Sequence, residues 1–245
     1  MTSVTLFPPK TSQTSADWLA YFEHNRQNLL TLPWNTPYFL TPEEKAAIAH
    51  SIQNFQLGEQ SEGTNLMKAT RRYVERSGDV EFLQAMKLFI GEEQRHARDL
   101  GNFMQCEGIP LRQKHWSDRL FRRFRRGVNL EIALRVLLTA EIIATIYYKA
   151  LQEATHSSLL QKLCQQILQD EHQHLRFQID RLERLQQQRK PWLKQASNFG
   201  NYLFLMLTIL VVWLDHYRVF HRSGYCLMDI YRHCHHTSRY LWENT

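Results

Sequence analysis

Two tetrapeptides stand out, Glu93-Gln94-Arg95-His96 and Glu171-His172-Gln173-His174, because each places a carboxylate and an imidazole three residues apart. On a helix that spacing puts both groups on one surface, where they can grip the same ion. One such tetrapeptide is weak evidence, since Glu and His fall at this spacing by chance; two in matching places are much stronger. A third carboxylate, Glu141, is the single exception in an otherwise apolar or uncharged run of Leu, Ile, Val, Ala, Thr and Tyr from Val136 to Tyr148. A lone carboxylate on a buried helix face is costly unless something pairs with it. Leu134, Leu137, Leu138, Ala144, Thr145 and Tyr148 surround it at helical spacing, which favours burial over an edge position.

The two tetrapeptides belong to a longer internal repeat. Laying Val74 to His96 over Gln152 to His174 without a gap aligns Glu75 with Glu153, Glu92 with Asp170, Glu93 with Glu171 and His96 with His174. With one residue shifted in the loop, Glu141 of the second half falls on Glu62 of the first. In an antiparallel hairpin two residues face each other when they lie equally far from the turn. The midpoint of Glu62 and Glu93 falls between Ser77 and Gly78, and that of Glu141 and Glu171 is His156; both are turn candidates. Each pair sits roughly 22 Å from its turn at the helical rise, so four glutamates and two histidines can converge at one height. Glu59 shares a helical face with Phe55, Leu66 and Tyr73 and stands as the alternative to Glu62, which the repeat favours.

These groups need long antiparallel helices to hold them. Few Gly (9) and Pro (7) in 245 residues exclude the dense turns of an all-β fold, so the chain reads as all-α. A short helix is expected over residues 17–30. Thr41-Pro42-Glu43-Glu44 is a strong helix opening, with an N-cap hydroxyl, proline at the first position and acids in the first turn. Helical periodicity then continues to about Arg76, and Asp79 caps a second helix to about Cys106. After a long crossover come helices over residues 129–155 and 157–188, then two more over 192–222 and 226–242. The expected organisation is an N-terminal extension (1–40), a four-helix bundle (41–190) and a C-terminal helical extension (191–245) that packs on the bundle or forms an interface.

The pattern Glu, Glu-x-x-His, Glu, Glu-x-x-His resembles the ferritin-like superfamily of carboxylate-bridged dimetal proteins, over about residues 42–188. The resemblance implies a ferritin-like four-helix bundle with a long crossover and added C-terminal helices. It implies Glu62 and Glu141 as terminal carboxylates, Glu93 and Glu171 as metal-bridging ones, and His96 and His174 as one imidazole per metal, the six together forming the catalytic centre. Glu92 and Asp170 then orient the histidines of the opposite hairpin, and Tyr148 lies near the metals, as a core residue or with a redox role. Two iron ions are implied, with manganese as the other candidate, together with O2 or peroxide, a small apolar substrate and an unidentified electron donor. The function so implied is a non-haem diiron oxidase or oxygenase. A ferroxidase or peroxide-detoxifying protein and a non-catalytic, metal-stapled binding protein are the competing readings.

The net charge of +6 is concentrated in one place. From Arg112 to Arg126 the chain carries Arg112, Lys114, Arg119, Arg122, Arg123, Arg125 and Arg126 against Asp118, which is seven minus one, so the remainder is neutral. Interleaved with Trp116, Leu120, Phe121 and Phe124, this stretch suits an anionic membrane surface or RNA, or else a crossover that keeps its arginines wet. The four cysteines contain no metal-binding pair, and the first residues hold no signal-peptide core, so a cytoplasmic setting with peripheral membrane contact as an option is expected. Residues 196–214 carry no formal charge. They suit a buried helix, an interfacial anchor, a homodimer contact or the wall of an apolar channel better than a membrane span. The histidines around Cys234 read as a solvated helix end.

Overall fold

The computed structural model describes residues 13–35, 39–60, 63–112, 129–187 and 189–243. Among these there are eight helices and no strand: α1 (Ser15–Asn25), α2 (Pro42–Glu59), α3 (Thr64–Ser77), α4 (Val80–Cys106), α5 (Leu130–Glu153), α6 (Ser158–Gln186), α7 (Pro191–Arg222) and α8 (Leu227–Glu243). Helices α2 and α3 together with α4 form one hairpin, and α5 with α6 forms the other. They pack into a four-helix bundle that α1 covers along α4, while α7 lies on α2 and α5 and α8 lies on α5, α6 and α7. Glu62 and residues 113–128, which hold most of the basic stretch, lie outside the described residues.

Local signals account for most of the boundaries. Thr41 and Glu44 form a reciprocal capping box at the start of α2, with Pro42 in the first turn. Asp79 caps α4, Asn129 caps α5 and Ser157 caps α6 through side-chain bonds to free N–H groups. The first hairpin turns at Gly78, whose φ of +74° suits a residue without Cβ. Glu44, fully buried, also accepts a 2.7 Å hydrogen bond from the backbone N–H of His156. The N-terminus of the first bundle helix therefore holds the turn of the second hairpin.

Two expectations are corrected. The helix expected from Thr41 to about Arg76 is interrupted after Glu59 and resumes at Thr64, with Gly63 at φ +63° in the break. A Cβ at Gly63 would lie 2.7 Å from Ile90 Cδ1, so the interruption is packed directly against α4. Periodicity missed it because the polar run from Glu59 to Glu62 reads equally well as one exposed helical turn. The short first helix ends at Asn25 rather than Leu30, and it is no loose appendage: Trp18 and Phe22 are fully buried, and Phe22 packs edge-on against Phe177.

The lower end of the bundle is held by Arg181, 1% exposed. Its guanidinium bonds Asp79 at 2.9 Å and Ser15 at 2.6 Å and lies 3.6 Å from the Phe82 ring centre. Burial alone would push the Asp79 carboxyl up, but the Ser15 hydroxyl, the Arg181 charge and the helix N–H of Phe82 together hold it below its ordinary value. Removing a buried charge from such a set leaves its partners unpaired. Arg181→Ala should therefore lower unfolding free energy by about 3 kcal/mol in urea titration. A depressed carboxyl pKa contributes stability that is full above the ordinary value of 3.8 and is lost as pH falls through the folded-state value. Asp79→Asn should flatten that acidic limb of the stability profile and leave its neutral-pH shape unchanged, as measured by denaturation across pH.

Candidate metal centre

Four helices deliver the site. Glu59 comes from the last residue of α2, Glu93 and His96 from α4, Glu141 from α5, and Glu171 and His174 from α6. Their ligand-type atoms form two overlapping groups, Glu59, Glu93, His96 and Glu171, and Glu93, Glu141, Glu171 and His174, with the atoms of each group within 4.8 Å of one another. Glu93 and Glu171 belong to both groups, so each carboxylate lies between the two halves. Five of the six residues named first from the sequence converge here. Glu59, the alternative named from the sequence, joins them, while Glu62 lies outside the described residues.

Each imidazole turns one nitrogen inward and one outward. His96 Nε2 lies 2.9 Å from Asp170 Oδ2, and His174 Nε2 lies 2.9 Å from Glu92 Oε2. Each acidic partner is on the opposite hairpin from its histidine, which fixes both ring orientations. The inward atoms are His96 Nδ1 and His174 Nδ1. His174 Nδ1 lies 2.9 Å from Glu93 Oε1 and 3.4 Å from Glu141 Oε2. Even so, both Nδ1 atoms, Glu93 Oε1, Glu141 Oε2 and Glu171 Oε2 are buried without a hydrogen-bond partner of acceptable geometry. Buried polar atoms are almost always satisfied, so this many orphans aimed at one point are the mark of a ligand cage.

The electrostatics agree. Burial pushes the Glu59, Glu93 and Glu171 carboxyls up, and repulsion from neighbouring carboxylates pushes them further, Glu93 acting on Glu59, and Glu141 acting on Glu93 and Glu171. Glu141 moves the other way: burial raises it, but the close approach of Glu171 and His174 and the hydrogen bond from Gln178 outweigh burial. Burial would likewise depress His174, yet the surrounding Glu141, Glu171, Glu92 and Glu93 hold its pKa well above the ordinary value. Four ionised carboxylates carry a formal charge of minus four, which two divalent cations cancel while leaving the histidines neutral for ligation. The donor set, oxygen-rich with one imidazole in each group, fits iron or manganese.

Several supporting groups were not named from the sequence. Asn25, at the end of α1, donates 2.6 Å to Glu92 and 2.8 Å to Asp170, joining the two acids that orient the histidines. Arg95 pairs with Asp170, and Gln166 donates to it at 3.1 Å. Burial pushes Asp170 up, but the His96 bond and the charges of His96 and Arg95 overcome it and hold the carboxyl far below its usual range. Gln178, one turn beyond His174, donates 2.9 Å to Glu141. The Gln at the fourth position after His174 was the only cue to this contact. Tyr148 is fully buried and donates 2.7 Å to Glu59, so its hydroxyl acts on the site directly.

The remaining histidines divide. His233 is half-buried against Thr145 at 2.9 Å, Cys234 is fully buried and His216 lies inside α7, while His221 and His236 face solvent. The reading of one solvated histidine-rich end is thus corrected for His233 and Cys234. Burial, with the positive charge of Lys149, lowers His233 to about 4, and no metal-ligand group forms there among the described residues. Of the basic stretch only Arg112 is described; it donates 2.6 Å to Asn54.

The architecture is an all-α, ferritin-like four-helix bundle with added helices. A solved structure of an R2-like ligand-binding oxidase variant with an aerobically reconstituted Mn/Fe cofactor superposes with a TM-score of 0.65, at 11% sequence identity, covering 95% of this chain and 94% of that one. No protein-family model and no curated protein matches the chain.

Asn25 offers a test of the support around the histidines. Asn25→Ala removes the shared donor of Glu92 and Asp170, and loss of such an outer contact should weaken metal binding by roughly 10- to 100-fold. Competition with a calibrated chelator measures it.

Proposed function

We propose that this protein is a non-haem dimetal oxidoreductase that uses O2 or peroxide to oxidise a small apolar substrate. The observation that carries the reading is the set of five buried, unpartnered nitrogen and oxygen atoms that face one another among four carboxylates. A similar fold in an oxidase with an Mn/Fe cofactor supports it. Glu59, Glu93 and Glu171 with His96 would hold one ion, and Glu93, Glu171 and Glu141 with His174 the other. Iron or manganese held there would supply redox chemistry toward O2 or peroxide.

The chain's own groups prepare that chemistry. Asp170 and Glu92 hold the imidazoles in the tautomer that offers Nδ1 to the cage. Tyr148 stays protonated and donates its hydroxyl to Glu59, with burial and the Glu59 charge raising its pKa well above the ordinary value. Phe22 and Phe89 pack against His174, with Phe177 behind them, and shield that side from water.

Anaerobic reconstitution with ferrous ions should give about two ions per chain. Glu141→Ala and Glu59→Gln should each remove at least one, with Glu62→Gln as the comparison for the residue that the repeat favoured. On exposure to O2 the loaded protein should consume roughly one O2 per pair of ferrous ions and then stop without reductant. Metal-free protein after reconstitution overturns the reading. Continued uptake of many ferrous ions into a mineral core moves it to iron storage, and loaded protein inert to both O2 and peroxide moves it to a metal-stapled binding protein.

A further inference from the structure

The two hairpins repeat each other around the cage, yet they differ in formal charge at one place. Laying Glu92-Glu93-Gln94-Arg95-His96 over Asp170-Glu171-His172-Gln173-His174 sets an arginine against a glutamine. Arg95 is buried, and its guanidinium pairs with Asp170 Oδ2, the same oxygen that lies 2.9 Å from His96 Nε2. Asn25 and Gln166 also donate to Asp170, at 2.8 Å and 3.1 Å. Glu92, which holds the other histidine, has no such cation. Among the described residues its side chain meets Asn25 at 2.6 Å and His174 Nε2 at 2.9 Å alone.

This difference acts on the histidines. An imidazole is a stronger ligand when its far N–H rests on a carboxylate, because the negative charge raises its basicity. A carboxylate oxygen shared with a guanidinium has less of that charge to offer. His96 is therefore the weaker donor of the two, and Arg95 also sets a positive charge beside any cation that His96 holds. The end carboxylates do not offset this. Glu59 receives one neutral hydroxyl, from Tyr148, and Glu141 one neutral amide, from Gln178. Glu93 and Glu171 are common to both halves.

We propose that Arg95 makes the two halves of the cage unequal, so that the half built on Glu141 and His174 binds a divalent cation first, and more tightly than the half built on Glu59 and His96. The inference rests on the dimetal reading of the site, but on no reaction with O2. Outer contacts of this kind change metal affinity by 10- to 100-fold, so the two halves should differ by at least roughly tenfold. When metal is scarce the chain then carries one ion, in the half that Phe22 and Phe89 wall off.

Calorimetric titration of the metal-free, full-length chain with Mn2+ should show two binding steps that differ by roughly tenfold or more in affinity. At one equivalent, electron paramagnetic resonance should show an isolated ion, and a coupled pair should grow in only with the second equivalent. Arg95→Gln, which copies the second hairpin, should tighten the weaker step by about tenfold and leave the stronger one in place, whereas loss of a merely structural arginine would weaken both. Glu92→Gln does not depend on that variant folding; it keeps Arg95 and should weaken the stronger step by roughly 10- to 100-fold. Equal steps, or a coupled pair at one equivalent, overturn this proposal alone. So does a weaker step that Arg95→Gln leaves unchanged or weakens further, or a loss in Glu92→Gln that spares the stronger step. A chain that binds no Mn2+ overturns it together with the dimetal reading.

Discussion

Four glutamates brought within a few ångströms in a dry bundle repel one another, and every other part of the structure answers to that repulsion. Burial removes the water that would screen them, so Glu59, Glu93 and Glu171 are driven toward protonation while Glu141 keeps its charge only through the donors around it. A fold that collects such groups without a counter-charge would open to let water in. This one closes over them with Phe22, Phe89 and Phe177, which makes sense when cations complete the balance.

The two hairpins solve the positioning problem in the same way. Each gives a histidine whose inner nitrogen faces the cage and an acid that grips the outer nitrogen of the other hairpin's histidine. The crossing of these contacts ties α4 to α6 at the height of the site. Neither histidine can rotate without giving up a buried hydrogen bond.

Much of this was legible before any coordinates. The paired Glu-x-x-His tetrapeptides, the isolated Glu141 and the equal distances to two turns specify a helical bundle and the heights of five of its buried polar residues, because helical geometry turns sequence spacing directly into position. What escaped notice lies where that conversion fails. One helix ends at Glu59 and the next begins at Thr64, which breaks the continuous count from which the repeat favoured Glu62, and a polar segment gives no periodic warning of it. Asn25 is a short amide 67 and 145 residues away from its two partners, beyond the reach of any local pattern. The outward leucines of α7 were visible as an uncharged run, but which side they present depends on where α2 and α5 sit.

Asn25 touches both halves of the duplicated hairpin at once. During synthesis the N-terminal helix emerges first, but its second partner, Asp170, leaves the ribosome only after most of the chain has been made. The cluster of carboxylates and histidines therefore closes only after the second hairpin has been made, when a segment that precedes both hairpins docks against them. A chain stalled between the two hairpins would have one Glu-x-x-His motif and no closed cage.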